Sequence, residues 1–256
     1  MKKRLRQWVI PVSLLTFCFI SIFSFTSDMS VMSCQAKEEI KSSQAKEKKD
    51  KYDLIALMNE CQKMSDDPGV IAIVQWIPRE WWQLTLERAG VPAERIKDVL
   101  ELFDPYMTFI MVHGRISSSG VPTFTSKSLL QDHVFLEDKS GTAYKPIDEE
   151  DIEAGVRNAI IMIKPIFSNM LGQMGDNMNF FLFPAQTKDR KKAYEATKEG
   201  EFSIRFKGVP DAGDQVFQWT LPLNSLVPAK FCPRCKKEEN GSWKYCPWCG
   251  SPLTHQ

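Results

Sequence analysis

Four of the seven cysteines in this 256-residue chain fall in the stretch FCPRCKKEENGSWKYCPWCGSPL, as two CxxC pairs: Cys232 with Cys235, and Cys246 with Cys249. Two cysteines separated by two residues can turn both sulfurs onto one cation, and two such pairs complete a tetrahedral thiolate site. Proline follows the first cysteine of each pair (Pro233, Pro247). Gly250 follows the second pair, where a residue without Cβ lets backbone amides bend toward sulfur. Between the pairs, Asn240-Gly241 reads as a hairpin turn because both residues tolerate positive φ. With all four ligand positions filled by sulfur, no coordination position is left for a substrate, so a metal held here is structural.

The same cysteines could instead form two structural disulfides, or act as a redox dithiol. A redox dithiol opens a helix after a buried strand and needs only one pair, so two pairs around a turn fit it poorly. In its CPxC and CPxCG halves the stretch resembles the zinc ribbons of many bacterial proteins, over about 25 residues. It departs from them at Lys236, which stands where the first knuckle often has glycine. The resemblance implies zinc as a structural cofactor, although an all-thiolate site also accepts iron.

Other chemistry is sparse. Of the three histidines, His113 and His133 fall in strand-like patterns, where a half-exposed structural imidazole is the default, and His255 lies in the tail. No serine elbow, HExxH, phosphate-cradling glycine loop or dinucleotide fingerprint occurs. The acidic run Asp148 to Asp151 is accounted for by a helix N-terminus, which favours negative charge. Met170, Met174 and Met178 recur every fourth residue, as thioether ligands for Cu(I) would, but Gly172 and Gly175 break the helix that would align them, and methionine commonly fills core gaps. Trp81-Trp82 could line a ligand site, though a helix with one buried stripe more often spends such a pair on packing. Buried among apolar neighbours, Cys61 reads as inert. The chain therefore offers no catalytic residues that chemistry requires in register.

The elements around the cysteines divide the chain into four parts. Residues 1–34 read as an export signal or membrane anchor, with Lys2, Lys3, Arg4 and Arg6 ahead of the apolar run Trp8 to Phe25. Val31-Met32-Ser33-Cys34 resembles a lipobox that would lipidate Cys34; cleavage after Ala36 would release a secreted protein, and an uncleaved run would anchor it. Residues 35–52 form a charged tether. Residues 53–228 make the body and residues 229–256 the ribbon. Net charge is +1, with the body acidic and the ribbon basic. An acidic body on an exported chain argues against nucleic acid as a partner. The composition, 43% hydrophobic and 11% aromatic, is ample for a core.

Within the body, periodicity predicts helices at YDLIALMNECQKM, REWWQLTLERA and the segment after Pro92. A helical insertion runs from Asp148 toward Gly175 and breaks at Pro165. Strands are expected at GVIAIVQWI, MTFIMVHGRI, LLQDHVFLED, TAYKPI, NMNFFLFP, EFSIRFKG and VFQWTLPL. The fold class is thus α+β: an antiparallel, sandwich-like β domain of roughly seven strands with N-terminal helices and an inserted helix, followed by the ribbon. The functional expectation is a membrane-tethered extracytoplasmic protein (periplasm or cell surface) whose ribbon is a structural or protein-interaction module. The alternative is a thiol-disulfide or metal-handling protein that uses the two CxxC pairs.

Overall fold

The computed structural model describes residues 52–185, 193–210 and 212–253. The apolar run Trp8 to Phe25, Cys34, Ala36 and the tether up to residue 51 lie outside the described residues. Among those described, no helix is long and apolar enough to cross a membrane.

Helix α1 (Leu54–Cys61) starts where the Asp53 carboxylate accepts the amides of Ile55 (2.9 Å) and Ala56 (3.3 Å). It buries Leu54, Leu57, Met58 and Cys61 along one stripe. The sequence predicts this helix to continue through Met64, but Gln62–Met64 is strand β1, antiparallel to β2 (Val70–Ile77). The SDDPG turn decides the matter: Ser65 Oγ accepts the Asp67 amide and Asp67 accepts that of Gly69. This folds the chain back sharply enough for β1 to satisfy its backbone on β2.

Helices α2 (Arg79–Arg88) and α3 (Ala93–Phe103) follow as expected, except that Pro78 caps α2 instead of being its first residue. Gly90, at φ 71°, ends the α2 turn. Strand β3 (Tyr106–Ile116) is the spine of a five-stranded sheet. It pairs with β2 on one edge, and on the other with β4 (Pro122–Phe124) and β7 (Asn179–Pro184).

The second sheet has four strands, in the order β6-β5-β8-β9: Ala143–Tyr144, Val134–Asp138, Gly200–Phe206 and Gln215–Leu221. The predicted strand LLQDHVFLED is split, because Lys127–His133 is helix α4 and only its second half is β5. Ser126 Oγ accepts the Leu129 amide at 3.3 Å, a capping contact that starts the helix, and Leu130 turns into the core. The insertion begins as a single 3₁₀ turn, Glu149–Asp151, after Asp148. It becomes helix α5 (Ala154–Leu171), and Gly172 at φ 55° separates α5 from α6 (Gln173–Asp176). The predicted break at Pro165 does not occur: α5 runs through it unbroken, with Pro165 and Ile161 both exposed, so the ring meets solvent and no packed neighbour.

The sheets pack through aromatics: Trp76 meets Phe202 edge-on at 5.0 Å, and Trp219 lies 5.2 Å from Phe202, stacked, and 5.9 Å from Phe109. Burying one such ring is worth about 2–3 kcal/mol, so these facing residues contribute much of what offsets chain entropy. Along one side β1 closes toward β9, where Gln215 Nε2 donates to Ser65 Oγ (3.1 Å) and Trp219 Nε1 to the Cys61 carbonyl (3.2 Å). After β9, a 3₁₀ turn at Asn224–Leu226 leads to the cysteine module, built on β10 (Lys230–Phe231) and β11 (Glu238–Glu239).

Candidate metal centre

Each CxxC pair sits at the tip of its own small hairpin. The β10/β11 ladder closes over the first knuckle, and a bridge between Tyr245 and Pro252 closes over the second. The knuckles repeat each other bond for bond. The Cys232 amide donates to the Lys237 carbonyl (2.9 Å) and the Lys236 amide to that of Cys232 (3.0 Å). In the second, the Cys246 amide donates to Ser251 (2.9 Å) and the Gly250 amide to Cys246 (2.9 Å). Lys236 takes φ 59° and Gly250 φ 70°, so the lysine that departs from the ribbon pattern adopts the left-handed backbone its glycine counterpart adopts.

All four sulfurs lie within 4.8 Å of one another, with Cys232 and Cys249 3.4 Å apart and Cys235 and Cys246 3.6 Å apart. A tetrahedron of sulfurs bonded at 2.3 Å has edges of about 3.8 Å, so the cage is of the right size for one cation. The four thiols are free. The first cysteine of each pair is buried and the second half-buried, which puts the centre just beneath the surface. The Cys235 amide points at Cys232 Sγ (3.4 Å), as thiolate ligands require. The Ser251 hydroxyl, 3.5 Å from Cys249 Sγ, holds that thiol below its ordinary pKa together with the Ser251 amide. Burial pushes Cys246 the other way. A metal bound here would supply the positive charge that ionises both.

Several residues of the site carried no signal in the sequence. Glu239, one of a charged run, is buried, with Oε1 3.4 Å from Cys246 Sγ. Its cross-strand neighbour Lys230 is also buried and donates to the Trp243 carbonyl at 2.9 Å. The Asn240-Gly241 turn exists, but neither residue has positive φ. Asn240 makes the turn with its side chain, which accepts the Ser242 amide (2.9 Å) and hydroxyl (2.6 Å). Glycine is needed next because a Cβ there would collide with the Pro228 carbonyl. Gly241 donates to Asn224 Oδ1 (3.1 Å), and Asn224 and Ser225 in turn give their amides to the Glu60 carboxylate of α1 (2.6 and 2.9 Å). The hairpin between the knuckles is thereby pinned to the body.

The remaining candidates lie elsewhere. His113 is fully buried, not half-exposed, with Nδ1 2.8 Å from Thr125 Oγ1 and its ring edge-on to Phe206. His133 ends α4 and exchanges bonds with Lys207. Cys61 is buried, and desolvation raises its thiol well above the ordinary range. Trp81 and Trp82 are both core residues. Met178 is buried and Met174 packs against the core, while the side chain of Met170 lies outside the description. Among the described residues the four cysteines are the one group of metal-type side chains that converges.

The chain matches no protein-family model, no curated protein and no solved structure.

Proposed function

We propose that the cysteine module is a structural zinc ribbon that presents a contact surface for a protein partner, on a body held at a membrane outside the cytoplasm. One observation carries this reading: around a site with no open ligand position stand Trp248, Tyr245, Phe231 and Trp243, 69%, 64%, 47% and 43% exposed. A staple needs no such display, whereas aromatics and cations together suit protein recognition. Lys237 lies 4.0 Å above the Trp248 ring, and the two form one exposed cationic and aromatic element.

Zinc fits a small, closed, four-sulfur cage. Elemental analysis of the native protein is expected to give one zinc per chain; two disulfides and no metal would overturn the reading in favour of thiol exchange. For the contact surface, Trp248→Ala with Lys237→Glu is expected to remove a specific co-purifying protein while zinc content and thermal stability hold. An unchanged set of co-purifying proteins would leave the metal as a staple alone. Lys244 is a weaker probe, since its ammonium already pairs with Glu199 at 2.9 Å. The membrane part of the proposal rests on the basic and apolar start of the sequence, and mass spectrometry of the native N-terminus tests it. A lipid on Cys34 or an intact Met1 supports anchoring, and a start after Ala36 sinks it.

A further inference from the structure

A small cavity lies away from the cysteines, where the end of β2, the start of α2 and the end of α3 converge with Tyr106, Ala185 and Tyr194. Its volume is about 60 Å³. That holds about four water-sized atoms at 10–15 Å³ each, the bulk of one branched head group. Five aromatic residues line it: Trp76, Trp82, Phe103, Tyr106 and Tyr194. Trp82 and Phe103 stack on each other at 4.5 Å, which fixes that wall. The other feature of the lining is an ion pair, Arg79 with Asp104. Arg79 uses only Nη1, on Asp104 and on the Leu100 carbonyl; among the described residues its Nε and Nη2 have no partner. The pair is about one third exposed on both sides, so it is reachable from solvent.

We propose that this cavity binds a small zwitterion with a trimethylammonium head, of the glycine betaine class. Aromatic rings around a space of this size attract a quaternary cation through their quadrupoles, and such a cation has no N–H groups that the rings would leave unsatisfied. Asp104 adds negative charge on the same side. The unused guanidinium N–H groups of Arg79 then receive the ligand's carboxylate, so the ligand's dipole lies antiparallel to that of the Arg79–Asp104 pair. A simple anion would meet Asp104, and a simple cation Arg79; a zwitterion meets both with the favourable sign. Burial pushes the Tyr194 phenol up to about 12, so its hydroxyl stays a neutral donor beside the carboxylate.

Isothermal titration of the full-length protein with three probes tests this. Glycine betaine is expected to bind saturably, and at least about tenfold more tightly than 3,3-dimethylbutanoate, its uncharged-head isostere. Choline, which keeps the head and lacks the carboxylate, is expected to fall between them. In Arg79→Gln, betaine is expected to drop to the level of choline while choline binding is kept, which also reports that the cavity is still folded. Tyr194→Leu, which keeps apolar bulk and removes a ring, is expected to weaken betaine and choline alike. No saturable binding of betaine, or equal binding of the neutral-headed isostere, would overturn the proposal. Equal betaine and choline affinity in the unmodified protein would overturn the assignment of Arg79.

Discussion

Lys236 and Gly250 occupy equivalent corners of the two knuckles, and only one of them is free of Cβ. A left-handed backbone costs an L-residue about 1–2 kcal/mol, which Lys236 bears in the folded state. Glycine there would relieve it but would gain freedom when unfolded, so Lys236→Gly is expected to tighten the module by less than about 1 kcal/mol. Gly250→Ala is expected to loosen it by about 1 kcal/mol, since no atom lies within 4 Å of the new methyl and the cost is conformational only. The midpoint of zinc loss to a competing chelator reads both, because metal binding and folding of the module are one equilibrium. His113 gives a pH dependence. Burial lowers its pKa below 6.5, so as pH falls through that value the unfolded chain takes up a proton that the folded one refuses. Stability is therefore full above about pH 6.5 and declines below it. The urea midpoint is expected to fall between about pH 7.5 and about pH 5.5, and to fall less in His113→Gln. An equal fall in that variant would exclude His113 as the source. The cysteine ligands were legible because their spacing is itself the geometry of the site. Glu239 and Ser251 were not, because nothing in a charged or polar residue's type says that it will lie against a sulfur.

The 3₁₀ turn at Asn224–Leu226 is the element through which the body holds the metal hairpin. Its two leading amides and the Ser225 hydroxyl all fall on Glu60, at 2.6, 2.9 and 2.8 Å. Glu60→Ala would strand three donors, and is expected to lower the stability of the body by about 2–3 kcal/mol. Asn224→Ala removes only the acceptor of the Gly241 amide, and is expected to cost about 1 kcal/mol while zinc stays bound. Tryptophan fluorescence during urea unfolding, with zinc measured alongside, separates the two. If Asn224→Ala released zinc, the clamp would belong to the metal site itself. These contacts were out of reach of sequence reading, since Glu60 and Asn224 are 164 residues apart. Local reading failed differently at β1 and α4. Met64, three residues after Cys61, continues the apolar stripe of α1, and only the Asp67 turn redirects the chain. LLQDHVFLED carries Val134, Phe135 and Leu136, whose β-forming types set the reading of the whole run, whereas its first half is held as a helix by a cap at Ser126 that lies ahead of it.

At the scale of the whole molecule, the described residues form two apolar cores, a large one between the sheets and helices and a small one made by Cys232, Cys246 and Leu253. Cys249→Ser is therefore expected to unfold the module while the near-UV spectrum of the body's tryptophans is kept; its loss would show that the sandwich depends on the metal. Acid is expected to release zinc in the unmodified protein, because protons compete for the thiolates. The antiparallel, sandwich-like α+β plan was legible from alternating strands such as Phe202, Ile204 and Phe206, but which strands share a sheet was not, since period-2 patterning names a face and not a partner. The seam between β1 and β9 joins Ser65 to Gln215 across 150 residues. A ribosome delivers β1 early and β9 late, so a growing chain has no means of shutting that side until β9 emerges. Released chains that end at residue 210 are then expected to be cut by protease near Ser65, and released chains that extend past Leu223 to resist. Completion of synthesis would thus be written into the fold as a change in how readily its first hairpin is digested.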